Sequence, residues 1–150
     1  MSKAVLISIH PKWCRKILNA EKIKMFPRDK TIEVKTIEVR KTKPMKIRTP
    51  FPCLIYCTKY YAYEYYDFKL NCSLNGKVIG EFICDEIYDM RDVLIEPTCL
   101  TIEEWCKYTD NHKGIVYGWH ISDLKIYDEP KELSEFGLKR PPQSWCYVEV

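Results

Sequence analysis

Short apolar runs separated by turn residues predict a chain built mainly from strands. Ala4–Ile9 (AVLISI) and Phe51–Thr58 (FPCLIYCT) have the length of buried strands. Lys77–Glu86 and Tyr117–Tyr127 alternate apolar and polar side chains, which is typical of strands with one buried face. Trp145–Val150 predicts a last strand at the end of the sequence.

Two short segments show helical patterns instead. Segment 12–18 places its apolar side chains on one helical face, and the helix is expected to end at Asn19-Ala20. Thr101 and Glu104 have the spacing of a capping box, which predicts a second short helix. Residues 130–136 predict one further helical turn.

The segment Lys30–Lys43 reads KTIEVKTIEVRKTK and contains the same five residues twice. Strand side chains alternate with a period of two, so one regular strand cannot present both copies to the same core. We assign Lys35–Lys41 to the core strand, with Thr36, Glu38 and Arg40 pointing away from the apolar side. Together with Lys35, these side chains would line a surface or cavity of the sheet. The alternative is a solvated face on an edge strand.

About six short strands with two or three short helices predict an α+β, mainly β protein, folded as a small mixed or open β-barrel. A chain of 150 residues is expected to form a single domain, 1–150. No apolar run has the length needed to span a bilayer, and the N-terminus lacks a small-residue cleavage site. We therefore expect a cytoplasmic protein with no membrane partner.

Charge is distributed unevenly along the sequence. Residues 1–59 carry 15 Lys or Arg and 4 Asp or Glu, a net charge of +11, whereas residues 60–150 carry 9 and 17, a net charge of −8. This asymmetry indicates a basic face made by the first third of the chain, and such a face favours a phosphate-bearing partner. A solubilising surface is the alternative.

Cysteine and histidine patterns do not predict a metal site. None of the eight cysteines forms a C-x-x-C pair, and most lie in apolar strings, so we interpret them as small buried hydrophobes in a reducing compartment. His10, His112 and His120 do not have metal-ligand spacing. We expect no metal and no cofactor.

The segment Lys59–Lys69 (KYYAYEYYDFK) has the most unusual composition in the chain, with five tyrosines and a phenylalanine. Aromatic clusters beside basic residues can stack on nucleic-acid bases. The alternatives are a helix or hairpin with one packed side, and an adaptor surface for another protein.

The order of these segments resembles the start of an ASCH domain, a family of PUA-like β-barrels named for activating signal cointegrator homology. The family signature is a helix ending in Gly-x-Lys, followed by a strand that carries an Arg. Residues 17–22 (ILNAEK) resemble the helix end, with Ala20 at the glycine position, and Lys35–Arg40 resembles the strand. Residues 23–34 would then be an insertion. The segments 76–82, 117–128 and 140–149 also resemble small bacterial or phage members.

The resemblance implies a barrel with a basic cleft for RNA or a modified nucleoside or nucleotide. Some relatives hydrolyse N-acetylcytidine with a Lys and a Thr on the signature strand and a Glu elsewhere. The Lys falls on Lys35, or on Lys22 in a different alignment. The Thr position falls on Glu38, which departs from the family pattern. Other relatives are ribonucleases, whose residues do not map onto particular positions here.

The candidate catalytic residues are Lys35 as a base of lowered pKa, Glu38 as its partner, and His120 as an acid–base group or a stacking ring. Arg40 is a candidate for bidentate phosphate binding, with a structural Glu38–Arg40 ion pair as the alternative. Further candidates for contact with nucleic acid are Lys22, Lys41, Lys43, Trp119, Ser122 and Trp145, where Trp145 would cap the cleft or pack in the core. The favoured function is an RNA- or nucleotide-binding module, and the alternative is a hydrolase that acts on a modified nucleoside or on RNA.

Overall fold

The computed structural model describes residues 2–92, 95–109 and 114–150. Six strands form one sheet, two short strands form a separate pair, and two α-helices pack around them. The strands are β1 (Lys3–Ile9), β2 (Ile37–Arg40), β3 (Phe51–Cys57), β4 (Tyr66–Asp67), β5 (Cys72–Ser73), β6 (Lys77–Asp89), β7 (Tyr117–Lys131) and β8 (Trp145–Glu149). The helices are α1 (Pro11–Met25) and α2 (Ile102–Tyr108), and single 3-10 turns span Met90–Asp92, Glu96–Thr98 and Leu133–Phe136.

The large sheet has the strand order β2-β7-β6-β3-β1-β8. β1 and β3 are parallel, and all other neighbours are antiparallel. The register shifts three times between β6 and β7 and once between β3 and β6, and such bulges bend strands. The sheet curls into a half-barrel, which confirms the predicted α+β open barrel.

Both faces of the central strands are buried, which explains why β1 reads as a continuous apolar run. Val5, Ile7 and Ile9 pack inside the barrel against α1 and β3. Ala4 and Leu6 point to the other face, which residues 133–138 cover. In the described residues, no helix is long and apolar enough to cross a membrane.

Helix α1 is longer than its sequence predicts. The expected end at Asn19-Ala20 is wrong, because the helix runs on to Met25 and includes Lys22 in its last turn. Residues 21–25 are mostly good helix formers, and the first proline after Pro11 is Pro27, so nothing breaks the helix earlier.

Only the second copy of the five-residue repeat enters the sheet. β2 lies within Lys35–Lys41 as predicted, although the strand itself covers only Ile37–Arg40. The first copy, 30–34, lies outside the strands, where its Glu33 carbonyl accepts a hydrogen bond from Asn19 Nδ2 at 2.9 Å. The identical sequences therefore have different structures.

The side chain of Glu38 points away from Ile37 and Val39, as predicted, and it points into the barrel rather than toward solvent. Ile37 and Val39 pack in a cluster with Trp105 of α2. Glu38 lies opposite Trp119 of β7 and is 4% exposed. The alternative of a solvated face on this edge strand is therefore excluded.

The Asn75-Gly76 turn leads into β6 with Gly76 at φ +80°, a conformation that favours glycine. The strands on either side of it, β5 and β6, are not paired with each other. Instead, the Asn75 amide bonds three backbone groups of the tyrosine-rich segment: Oδ1 accepts from Tyr65 N, and Nδ2 donates to the carbonyls of Tyr60 and Tyr63.

Candidate functional site

A small cavity of about 170 Å³ lies where the end of β1, the first turn of α1 and the start of β2 meet. Three larger cavities, of about 230, 640 and 810 Å³, have no buried charged side chain in their lining. The small one contains both of the buried charged side chains in the described residues, Lys35 and Glu38. Its lining is formed by Ile9, His10, Trp13, Lys35, Glu38, Val39, Arg40, Leu100 and Tyr108.

Lys35 enters the cavity from the segment just before β2 and is 2% exposed. Its backbone N–H donates to the Lys16 carbonyl at 3.1 Å, and its Nζ donates to the Thr98 carbonyl at 2.5 Å. Nζ also lies 3.8 Å from Glu38 Oε1 and 5.1 Å from the centre of the Trp13 ring. Burial lowers the pKa of Lys35 and outweighs the opposing attraction of Glu38.

Glu38 has one satisfied oxygen and one unsatisfied oxygen. Oε1 accepts from Arg40 Nη1 at 3.0 Å and from the Val39 N–H at 3.1 Å. Oε2 is buried and has no hydrogen-bond partner. Burial alone would raise the pKa of Glu38, but the charges of Lys35 and Arg40 and these hydrogen bonds together lower it. The cavity thus contains a buried carboxylate with a free acceptor.

Arg40 holds Glu38 in place. Its Nη1 also donates to the Val39 carbonyl at 2.9 Å, and its Nη2 donates to the Ser8 carbonyl at 2.6 Å. The side chain is only 14% exposed. The geometry therefore matches the structural ion pair more closely than an open guanidinium fork, whose two N–H groups would face a phosphate.

Aromatic rings and lysines form the rim of the cavity. Lys12 and Lys16 place their Nζ atoms 4.7 and 5.3 Å from the centre of the Trp13 ring. Tyr108 donates its hydroxyl to the Val39 carbonyl at 3.2 Å, and Lys41 Nζ lies 5.4 Å from the Tyr108 ring centre. Lys12 and Lys16 also pair with Glu104 at 3.7 Å and Glu33 at 3.3 Å, so an anionic ligand at the rim would compete with these carboxylates.

His10 forms another part of the wall. Its Nδ1 accepts a hydrogen bond from the Lys12 N–H at 3.1 Å and caps α1. Burial and then the Lys12 charge lower the pKa of His10, which keeps Nδ1 available as an acceptor. The imidazole faces Tyr60, with ring centres 4.5 Å apart.

Sequence reasoning missed Trp13, Tyr108 and His10 as parts of this site. Trp13 was assigned to the apolar face of its helix, although the lysines at 12 and 16 were a signal for an aromatic ring between cations. Tyr108 comes from a helix far along the chain, and no local pattern indicates its contact with β2.

The other predicted lysines lie outside the cavity. Lys43 Nζ is 5.2 Å from the centre of the Tyr117 ring, and Lys41 lies at the rim. Lys22 is exposed near the end of α1 and is not part of the lining.

The predicted residues on β7 are not part of the cavity lining. His120 is paired with Ile37 and therefore faces away from Glu38. Its Nδ1 lies 2.7 Å from Asp85 Oδ1, and Ser122 donates its hydroxyl to the Ile83 carbonyl at 2.7 Å. Lys35 and Glu38 thus meet in the cavity, whereas His120 and Ser122 are directed elsewhere.

Two predicted tryptophans pack against each other. Trp119 is 0% exposed and lies in the barrel core, so its ring is not presented to a ligand. Trp145 is half-buried, with its ring centre 5.8 Å from that of Trp119, and its Nε1 donates to Thr42 Oγ1 at 2.9 Å. Both of the roles predicted for Trp145, cap and core packing, remain compatible with this position.

In residues 2–92, 95–109 and 114–150, no three His, Cys, Asp or Glu side chains are grouped as metal ligands. His112 lies outside these described ranges. The expectation of no metal and no cofactor stays a prediction.

The curled six-stranded sheet with two helices has the same fold as solved ASCH proteins, which confirms the fold implied by the sequence resemblance. A crystal structure of a Tyr-to-Phe mutant of an ASCH protein from Zymomonas mobilis superposes with a TM-score of 0.68 at 16% identity, covering 99% of this chain and 91% of the other. The crystal structure of ASCH from Zymomonas mobilis gives 0.64 at 17% identity, covering 97% and 87%. The sequence matches no protein-family model and no curated protein. At such identities, the likeness establishes the fold.

Proposed function

We propose that this domain binds RNA or a nucleotide and holds a base-sized group in the cavity beside Lys35 and Glu38. The observation that carries the proposal is the buried Glu38 Oε2, which has no donor. An unsatisfied buried acceptor costs about 1–3 kcal/mol, and more when it is charged. The N–H and amino groups on the edges of bases are donors that would remove this cost.

The size of the cavity limits what can enter. At about 170 Å³ it is smaller than the roughly 300–1,000 Å³ typical of pockets that enclose a drug-sized ligand. It therefore suits a single ring, and the sugar and phosphates would remain outside. There they would meet Lys12, Lys16 and Lys41 at the rim, and the first 59 residues carry a net charge of +11 that would attract them.

The five-residue repeat supplies a matched control for testing this proposal. Glu33 occupies the position in the first copy that Glu38 occupies in the second, but the Glu33 side chain is 62% exposed. Because Glu33 pairs with Lys16 at the rim, we expect Glu33→Gln to bind a labelled seven-residue single-stranded RNA no more weakly than wild type in anisotropy titrations. We expect Glu38→Gln to bind it at least about tenfold more weakly, which corresponds to one lost charged hydrogen bond.

A double variant tests the lysines at the rim and leaves the buried charges unchanged. Lys12→Ala combined with Lys16→Ala should weaken binding at low salt and reduce the salt dependence by about 0.7 in log–log slope for each lost phosphate contact. Equal binding by wild type, Glu38→Gln and this double variant would contradict the proposal.

Hydrolysis of a modified nucleoside or of RNA is the second candidate function, favoured by the lowered pKa of Lys35. A buried amine whose pKa is lowered loses its proton more readily than an exposed lysine and can then act as a base or a nucleophile. Lys35→Met should then abolish product release from N-acetylcytidine or RNA, whereas Lys30→Met, the change at the same position of the first copy, should not. Full activity of Lys35→Met would exclude this mechanism.

A further inference from the structure

The wall of the cavity continues outward as a series of aromatic rings from the tyrosine-rich segment. The His10 ring, in the cavity lining, is 4.5 Å from Tyr60, and the Tyr60 ring is 6.1 Å from Tyr61. Exposure rises along the series: Tyr60 is 46% exposed and Tyr61 is fully exposed. These rings therefore lead from the buried site to solvent. We name His10, Tyr60 and Tyr61 the aromatic series.

The backbone under the aromatic series is held in place. The Thr58 N–H donates to the Ile9 carbonyl at 3.0 Å, which fixes the start of the segment beside the end of β1. Asn75 Nδ2 donates to the carbonyls of Tyr60 at 3.3 Å and Tyr63 at 2.9 Å, and Asn75 Oδ1 accepts from the Tyr65 N–H at 2.9 Å. A ligand that stacks on these rings therefore has to order their side chains but not the backbone that carries them.

Lys59, the residue before Tyr60, lines a groove of about 640 Å³ that is also lined by Lys139 and Arg140. None of these three cations forms an ion pair with a carboxylate in the part of the chain that the structure describes. The acidic residue of the lining, Glu132, is paired with Lys77. The groove therefore carries three uncompensated positive charges.

Rings that lead to unpaired cations match the chemistry of a single nucleic-acid strand. Its bases offer flat faces for stacking, and its phosphates offer negative charges at each step. In a duplex the base faces are already stacked and are not available to protein rings. An acidic peptide would satisfy the cations but would not use the rings in this way.

We propose, on the basis of the function inferred above, that the ligand is a single-stranded oligonucleotide rather than a free nucleoside. The strand places one base in the cavity, stacks the next bases on the aromatic series, and runs its phosphates along Lys59, Lys139 and Arg140. The oligonucleotide is thus recognised by this extended surface as well as by the cavity.

Uridine and oligouridines of three, five and seven residues test the proposal, with binding measured by calorimetry for each length. Affinity should increase with length until the groove is filled. Tyr61→Ala should weaken binding of the seven-residue RNA by about tenfold and leave uridine binding unchanged. Phe68→Ala is the matched control, because Phe68 is 87% exposed and packs on Tyr66 instead of the aromatic series.

A second variant pair tests the groove. Lys139→Ala with Arg140→Ala should lower the salt dependence of binding by about 1.4 in log–log slope, which corresponds to two phosphate contacts. The control is Lys69→Ala with Lys125→Ala, which removes the same charge from a separate groove that also contains Asp67, Asp128 and Glu129. This control should leave the slope unchanged.

The outcomes separate this inference from the proposed function. If uridine binds as tightly as the seven-residue RNA and Tyr61→Ala changes neither affinity, the extended surface is overturned. The proposed binding in the cavity is not contradicted by that result. Equal competition by a duplex or by an acidic peptide would overturn the extended surface too. The inference would be supported if Glu38→Gln loses binding of both uridine and the seven-residue RNA, while Tyr61→Ala loses binding of the seven-residue RNA only. Binding of neither ligand by wild type would overturn the proposed function itself.

Discussion

Glu38 lies between Lys35 and Arg40: its Oε1 is 3.8 Å from Lys35 Nζ and 3.0 Å from Arg40 Nη1, while its Oε2 has no partner. Removing the carboxylate would leave a buried amine and a mostly buried guanidinium without an anion. We expect Glu38→Ala to lower the free energy of unfolding by about 3–5 kcal/mol, measured by urea denaturation. Glu33→Ala, which breaks a surface pair with Lys16, should cost no more than about 1 kcal/mol. Similar losses in both variants would contradict the buried cluster.

The same cluster predicts an acid-sensitive contribution to stability. The pKa of Glu38 in the folded protein is below its usual value of 4.5, so the folded state binds fewer protons than the unfolded state in that range. Its stabilising contribution is complete above about pH 4.5 and is lost as pH falls through the lowered pKa. The difference in unfolding free energy between wild type and Glu38→Gln should therefore shrink with acidification from pH 6 to pH 3. A constant difference would show that the pKa of Glu38 is the same in the folded and the unfolded protein.

How much of this site could be predicted depends on how far apart in the sequence the contacting residues lie. Lys35, Glu38 and Arg40 are near neighbours in sequence, and the period-two pattern places Glu38 and Arg40 on one face. Lys35 reaches the same cavity because it lies just before β2, where strand alternation does not apply. The pairing of Glu38 with Trp119 across β2 and β7 could not be read in this way. Without that register, the sequence does not decide on which face of the sheet His120 lies, and the structure places it on the face away from Glu38.

The fold was more predictable than the details of its elements. Strand patterns and the Thr101–Glu104 capping box were confirmed. The end of α1 was wrong because Asn19 and Ala20 are compatible with a helix interior, and the Asn19 side chain bonds the Glu33 carbonyl instead of ending the helix. The role of Asn75 in holding the tyrosine-rich segment depends on long-range contacts that a turn motif does not encode.

Asn75 provides a test of how the aromatic series is held. Asn75→Ala removes three hydrogen bonds to the backbone of residues 60–65 and should increase amide exchange there, while leaving β1 protected. We expect weaker binding of the seven-residue RNA with unchanged binding of uridine. Unchanged exchange in residues 60–65 would show that other contacts hold the segment.

A substitution at Gly118 tests how tightly β2 packs on β7. It lies opposite Val39, and a Cβ added there would come 2.8 Å from Ile37 Cγ2 and would also meet Met90. Gly118→Ala should cost about 1–3 kcal/mol in thermal or urea unfolding, because the added methyl group overpacks the contact. Gly114→Ala is the control, since no atom of the described residues, apart from its chain neighbours, lies within 4 Å of its added Cβ. A neutral Gly118→Ala would indicate that β2 moves freely on β7.

The reactivity of the cysteine thiols should depend on their burial. Cys14, Cys53, Cys57 and Cys84 are completely buried, whereas Cys72, Cys99, Cys106 and Cys146 are half-buried. Burial raises the pKa of Cys14 and Cys53 and raises that of Cys84 to about 12, which further reduces their reactivity. Brief alkylation of the folded protein, read by mass spectrometry, should modify only the half-buried set. Early labelling of Cys53 or Cys84 would contradict the barrel core.

The most direct test of the central claim uses the four tryptophans as reporters. In a ¹⁵N–¹H spectrum titrated with the seven-residue single-stranded RNA, the indole signal of Trp13 at the cavity should shift strongly. The signal of Trp119, which is buried in the core, should stay in place. Substitution of each tryptophan by phenylalanine assigns the signals. A Trp13 signal that does not move while the RNA binds would place the binding site elsewhere and contradict the account.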